Sequence, residues 1–216
     1  MAAFAQCRSL EGFSLSSTVS SVGTLAFSAC TKLRTTVYEN GIYLGNESNP
    51  YHLLIAVADA SAKSFAIHKD TKIISASDVS GTMMSTGIFA STDVETADLS
   101  GSVVSVSGAL FQNAKNLKSV VLPPSMTSLA ADAFSGCSAL ESITLPSGLT
   151  SIGDRAFSGT TALKEIRIPA SVTEMGSDVI DETSGIRSVL CEAAREPLGW
   201  SIDWVYDISL ATFGAK

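Results

Sequence analysis

Phe134-Ser-Gly-Cys-Ser-Ala-Leu140-Glu-Ser-Ile143-Thr-Leu145-Pro-Ser-Gly-Leu149-Thr-Ser-Ile152-Gly-Asp-Arg-Ala-Phe157 is the stretch whose reading decides the fold. With Phe134 as zero, apolar residues stand at +6, +9, +11, +15 and +18, and an aromatic returns at +23. From Phe111 the same offsets give Leu117, Val120, Leu122, Met126, Leu129 and Phe134. From Phe157 they give Leu163, Ile166, Ile168, Val172, Met175 and Ile180, and from Phe4 they give Leu10, Phe13, Leu15, Val19, Val22 and Phe27. An irregular spacing reproduced this often does not arise easily by chance. A fixed period in the low twenties marks a solenoid.

Two rungs are interrupted. After Phe27 and Leu33 the frame resumes only at Phe65, Ile67, Thr71, Ile74 and Val79, so a long segment is inserted between them. A second, shorter insertion falls between Ser80 and Ile88, and Ile88 as a new zero restores Val94, Ala97, Leu99, Val103, Val106 and Phe111. After Ile180 the pattern gives Ile186, Val189 and Cys191 and stops, so the chain reads as seven rungs, the last incomplete.

The unit has a physical reading. Ile143-Thr-Leu145 alternates apolar and polar, as a short strand with one buried face does. Pro146 cannot donate to a ladder and ends it. Leu149 to Ile152 is a second extended piece, and Gly153-Asp154 turns the chain. No single coil buries its own apolar face, so each must stack on its neighbours. The expected fold is a β-dominated solenoid of about 23-residue repeats with a parallel sheet, few short helices and a β-meander insertion. Strands are expected near Phe13-Leu15, Phe65-Ile67, Ala97-Leu99, Val120-Leu122, Ile143-Leu145 and Ile166-Ile168. The solenoid spans residues 1–191, with the insertion near 36–64, and residues 192–216 form a C-terminal cap.

The unit around Phe134, with Phe4-Ala-Gln-Cys7 and Phe27-Ser-Ala-Cys30, resembles the leucine-rich repeat of the BspA-like family, also called the Treponema pallidum type. The insert Asn40-Gly-Ile-Tyr-Leu-Gly-Asn-Glu-Ser-Asn-Pro-Tyr51 is similar to a segment found in such proteins. The resemblance implies a secreted or cell-surface protein of gut or oral bacteria or of a parasitic protist. Several relatives are associated with adhesion to host proteins or other cells. The chain departs from the pattern at Val79, Ile88 and Ile180, where the aromatic is replaced.

Composition bounds the function. The net charge of −7, with no cluster of Lys or Arg, argues against a nucleic-acid or anionic-membrane partner. No apolar run approaches the roughly 20 residues of a membrane span. Met1-Ala-Ala-Phe4 begins inside a repeat without a signal peptide, so the chain reads as a fragment of a longer secreted protein. Cys7, Cys30 and Cys137 share position +3 and Cys191 falls at +11, which reads as small buried free thiols, a Cys7–Cys30 bridge being the open exception.

Thr36-Val-Tyr-Glu-Asn-Gly-Ile-Tyr-Leu44 is a hairpin signal, with Asn40-Gly41 as the turn. Tyr51-His-Leu-Leu-Ile-Ala-Val57 is a third strand, and the three form a small meander projecting from the coil. It reads either as a recognition loop or as a flap packed on the flank, and the apolar run 53–57 favours packing for that strand. Glu192 to Glu196 is a short polar piece of helical character before Pro197. The aromatics Trp200, Trp204, Tyr206 and Phe213 suit an end cap, with a sugar-stacking platform of Trp200 and Trp204 as the sharper alternative.

No catalytic motif is present, and His52 and His68 have no nucleophile at a recognisable spacing. Ser177-Asp178 with Asp181-Glu182 lacks the ligand spacing of a calcium loop and reads as a solvated edge. No cofactor, metal or enzymatic activity is expected. The expected function is a secreted or surface module that binds a protein ligand, host or bacterial. The alternatives are a structural spacer and a carbohydrate-binding module. The outward positions +8 and +10 are the candidate binding face: Ser119 and Val121, Ser142 and Thr144, Glu165 and Arg167, Ser188 and Leu190. The competing site is the insert, with Tyr38, Tyr43 and Tyr51 as anchors.

Overall fold

The computed structural model describes residues 3–23, 25–75, 87–103 and 105–216. Val79 and the insertion up to residue 86 lie outside the described residues. The first strands are β1 (Thr36–Tyr38), β2 (Gly41–Leu44) and β3 (Leu53–Val57). Each further turn of the coil then contributes two short strands. These are β4 (Ser64–Ala66) and β5 (Ile73–Ser75), β6 (Thr96–Asp98) and β7 (Ser105–Ser107), β8 (Ser119–Val121) and β9 (Ser128–Leu129), and β10 (Ser142–Ile143) and β11 (Ser151–Ile152). They continue as β12 (Glu165–Ile168) and β13 (Glu174–Met175), then β14 (Ser188–Cys191) and β15 (Gly199–Trp200), and end at β16 (Ala211–Phe213).

The strands stack turn upon turn. On one flank the ladder β4, β6, β8, β10 is parallel, with Val120 opposite Ala97 and Ile143, which is the +9 column of the sequence. On the other flank β9, β11, β13, β15 is parallel, with Ile152 opposite Leu129 and Met175, the +18 column. Phe65 pairs with Ala97 and Ile74 with Val106, so the frame holds across the shorter insertion. β12 belongs to a separate ladder with β14 and β16, so the expected single sheet is divided in two. Phe13 to Leu15 forms no strand, and the Leu15 N–H donates instead to the Gly45 carbonyl at 3.0 Å. Among the described residues no α-helix occurs, only one 3-10 turn at Ile208–Leu210. Residues 192–196 are therefore not helical.

The rings form the spine of the coil. Phe89, Phe111, Phe134 and Phe157 stack at 4.8, 5.1 and 5.6 Å with planes within 11° of parallel, and Phe65 meets Phe89 edge-on at 5.0 Å. Phe89, not Ile88, takes the ring position, because that repeat is one residue shorter than its neighbours. Ile180 is fully buried where the next ring would stand, bridged to Val205. The corner around each ring is sharp. Positive φ recurs two residues after the phenylalanine, at Gln6, Ala29, Ser91, Asn113, Gly136 and Gly159. It recurs two residues before it at Leu25, Asp132 and Arg155. Only Gly136 and Gly159 adopt this left-handed backbone without the Cβ penalty.

β2 and β3 of the insert form a wall inside the molecule, whereas β1 and the hairpin loop stay at the surface. β1 and β2 form a hairpin, β2 pairs antiparallel with β3, and β3 pairs parallel with β5. Tyr43 and Leu54 face the main core, whereas Leu44, Leu53 and Ile55 face a second core with Leu15, Phe27 and Cys30. Burial on both faces explains the unbroken apolar run of β3. The hairpin loop is Glu39-Asn40, since Tyr38 pairs with Gly41. Gly41 is instead the first residue of β2, where a Cβ would collide with the Tyr43 ring.

The coil also continues past Cys191. β15 pairs with β13, placing Trp200 against Met175, and β16 pairs with β14. The repeat vanishes from the sequence there because the spacing changes, from 23 residues to 25 between Met175 and Trp200 and 22 between Val189 and Ala211.

Candidate functional site

β4, β6 and β8 each bury their central residue and turn its neighbours outward, because side chains alternate, and Ile143 of β10 is half-buried in the same column. Phe65, Ala97 and Val120 are buried. One outward column runs Ser64, Thr96, Ser119, Ser142 in register, and a second runs Ala66, Asp98, Val121. Thr144 follows β10 and is exposed. In the next ladder Glu165 stands beside Ser188, and Arg167 beside Leu190. Ser142, Glu165 and Arg167 are exposed, Ser119 is half-buried, and Val121 is 53% exposed. Parallel neighbours about 4.8 Å apart make this a closely spaced array of small hydroxyls with one apolar spot.

Its charges are placed locally. Arg167 Nη1 lies 3.7 Å from Glu192, while Ser188 Oγ donates to Glu165 at 3.2 Å, so Glu165 and Arg167 do not pair with each other. One residue before each strand, Lys63, Glu95, Lys118, Glu141 and Lys164 alternate in sign along the coil. Lys118 Nζ is 2.6 Å from Glu95, and Lys63 Nζ is 3.3 Å from Asp93 and 3.8 Å from Glu95. The Lys118 hydrogen bond holds the Glu95 carboxyl below the usual carboxylate range.

The three insert tyrosines separate. Tyr43 is fully buried, its hydroxyl accepts from the His68 N–H at 3.2 Å, and burial raises its phenol pKa. It offers no surface, so it cannot serve as an anchor; the alternation of β2 turns it into the core. Tyr38 is 36% exposed and meets Tyr51 and His68 edge-on at 5.5 and 4.6 Å. Tyr51 stacks on His68 at 3.8 Å. His52 is buried against the Val19 carbonyl, with Nε2 3.0 Å away.

The hairpin loop meets the strand face. Glu39 and Asn40 overhang β4, β6 and β8 and enclose an open groove of about 500 Å³, bordered by Ser64, Ala66, Thr96, Asp98, Ser119 and Val121. The two expected sites, insert and strand face, thus share one border. The loop is fixed in place: Asn40 Nδ2 donates to the Asp59 carbonyl at 3.0 Å, the Asp59 N–H donates to Asn40 Oδ1 at 2.6 Å, and the Ala58 N–H donates to the Asn40 carbonyl. Thr96 and Asp98 were readable as the +8 and +10 positions flanking Ala97, whereas Glu39 and Asn40 reach the groove only through tertiary folding.

Other candidates are occupied by structure. Trp204 is fully buried and donates to Glu196 at 2.7 Å; Trp200 is buried and donates to the Val172 carbonyl at 3.2 Å. Neither ring face is available to a sugar. All four cysteines are free, and Cys7 alone of them is exposed. Cys30 and Cys137 each donate to the carbonyl of the preceding rung's phenylalanine, Phe4 and Phe111, at 3.0 Å. Asp181 accepts from the Thr183 and Ser184 N–H groups in its own turn. Among the described residues no group of three or more His, Cys, Asp or Glu could hold a metal, and no helix is long and apolar enough to cross a membrane.

The model of the BspA type leucine-rich repeat region matches residues 1–48 and 82–197 in six copies. Among solved structures, a Treponema pallidum leucine-rich repeat protein is similar at 19% identity and a TM-score of 0.55, covering 73% of this chain and 67% of its own. A Bacteroides ovatus leucine-rich repeat protein is 23% identical, TM-score 0.49, over 99% of this chain and 58% of its own. A leucine-rich cell surface protein of Faecalibacterium prausnitzii is 18% identical, TM-score 0.46, over 74% and 55%. The chain therefore spans between 55 and 67% of these three proteins' lengths. No curated protein matches it.

Proposed function

Because the chain belongs to the BspA-type leucine-rich repeat family, we propose that it is a non-catalytic protein-interaction module, secreted or held at the cell surface, acting in adhesion. It engages a protein partner, of a host or of another bacterium, through the outward face of β4 to β14. The observation that carries this reading is the groove in which the hairpin loop overhangs that face. Long insertions on a rigid scaffold commonly bear recognition, and the strand face of a solenoid is its usual binding surface. The residues engaged are Ser119, Val121, Ser142, Thr144, Glu165 and Arg167, with Tyr38 and the accessible edge of Tyr51 at the insert.

The test is a binding panel of purified extracellular-matrix and bacterial surface proteins against the wild-type chain and two folded variants. One carries Val121→Glu with Thr144→Lys, the other Arg167→Glu. A partner that binds wild type should bind the first variant at least about tenfold more weakly, as a mismatched charge at an interface does. A partner bound equally by all three proteins would place the site elsewhere.

A further inference from the structure

The groove beside the hairpin loop brings two carboxylates together on the strand face. The charges that precede its strands are paired among themselves, Lys63 with Asp93 and Glu95 and Lys118 with Glu95. Within it stand Glu39 and Asp98, and among the described residues neither has a basic side chain within ion-pair distance. Asp98 Oδ1 accepts from the Ser100 N–H at 2.9 Å, and among the described residues its other oxygen has no hydrogen-bond donor. Ser64, Thr96 and Ser119 stand in register along the same groove. Val121 supplies apolar contact at the far side, 53% exposed.

We propose that this groove binds an extended, cationic segment of a protein partner, with Lys or Arg side chains set against Glu39 and Asp98 and a small apolar side chain on Val121. The inference rests on the reading of this face as the binding surface and names the chemistry of what it takes. Charge complementarity selects the cation: the opening holds two uncompensated carboxylates in a chain of net charge −7. The strands select an extended segment bound through side chains. The backbone groups of β6 and β8 are already paired on both sides, so strand addition is closed to the partner here. A chain laid across β4, β6 and β8 meets one hydroxyl every 4.8 Å or so, against a rise of about 3.3 Å per residue for an extended peptide. The Asn40–Asp59 clamp keeps the loop in place before binding, which lowers the ordering cost.

The experiment uses two labelled peptides, acetyl-Thr-Val-Lys-Thr-Arg-Val-Thr-amide and its counterpart with Glu in place of Lys and Arg, followed by anisotropy and by amide shifts of the isotope-labelled chain. The basic peptide should bind and move the amides of Ser64, Thr96, Asp98 and Ser119, and the acidic one should not. Binding should weaken as salt shortens the Debye length from about 10 Å at 0.1 M to about 3 Å at 1 M. Glu39→Gln with Asp98→Asn keeps shape and keeps the acceptor for Ser100, so it leaves the fold intact. It should weaken the basic peptide about five- to tenfold. Equal binding of both peptides, shifts confined to other surfaces, an unaffected double variant, or no binding at millimolar peptide would each overturn the inference. If a protein partner still loses affinity on Val121→Glu with Thr144→Lys in that case, the binding face stands and only its cationic ligand falls.

Discussion

Replacing Phe134 by alanine perturbs the middle of the ring column. The ring is 1% exposed and lies between Phe111 at 5.1 Å and Phe157 at 5.6 Å, both nearly parallel to it. Truncation removes roughly 100 Å³ of side chain, and at about 24 cal/mol per Å³ of residual cavity that alone is about 2.4 kcal/mol, to which the lost transfer energy of the ring adds about 2 kcal/mol. Relaxation will not close the space easily. A small void of about 20 Å³ already lies against the ring among Met126, Leu129 and Ala133, and the new cavity merges with it. The expected loss is therefore about 4–5 kcal/mol. Phe4→Ala, at the first rung, should cost far less, because that ring is 37% exposed, stacking on Phe27 and meeting Phe13 edge-on. Denaturant unfolding followed by circular dichroism measures both. The two variants should differ by at least about 2 kcal/mol, and Phe134→Ala should reduce the slope as well if the coil opens at the wounded rung and melts in two parts. An unchanged midpoint for Phe134→Ala, or equal losses for the two variants, would refute the claim that the ring column is the buried spine.

Gly41→Ala should destabilise by about 1–3 kcal/mol, since the new methyl group meets the ring of fully buried Tyr43, and the same melts would detect it. Ser91→Gly should stabilise by up to about 1 kcal/mol, because Ser91 is exposed and held at a φ of 59°, where glycine carries no Cβ penalty; a loss on calorimetry would contradict this. A thiol reagent on the native protein should modify Cys7 alone of the four, rising to four on unfolding. Burial pushes the Cys137 and Cys191 thiols up to about 12 from 9.0. With folded values raised, the unfolded chain loses these protons first, so stability should be intact below about pH 9 and fall as pH rises towards 12; a melting temperature flat over that window would show that these thiols are not buried.

Much of this arrangement was legible because a solenoid is nearly one-dimensional. A residue at a given offset meets the same offset one turn away, so Val120 against Ile143, or Ile152 against Met175, follows from counting. The outward columns through Ser119, Val121 and Ser142 follow equally from alternation. Counting fails where spacing drifts. The ring of Phe89 was hidden by a repeat one residue short, and the last turn, with Trp200 and Ala211–Phe213, by spacings of 25 and 22. Asn46 shows a related limit. Its side chain donates to the Leu15 carbonyl at 2.6 Å, 31 residues earlier, and accepts from the Ser48 and Asn49 N–H groups, contacts that no offset predicts.

The insert marks the boundary between what sequence and tertiary structure each decide. Short β-prone runs and the turn residues around Asn40 establish that residues 36–57 contain three strands, because strand and hairpin formation is local. They do not establish what those strands pack against, because burial on each face depends on residues far along the chain. The fold sets Leu44, Leu53 and Ile55 on the first rungs and Tyr43 and Leu54 on the main core, taking Tyr43 from the surface. By the same long-range pairing it carries Glu39 over Asp98, 59 residues later in the chain, and creates a groove that no local pattern encodes.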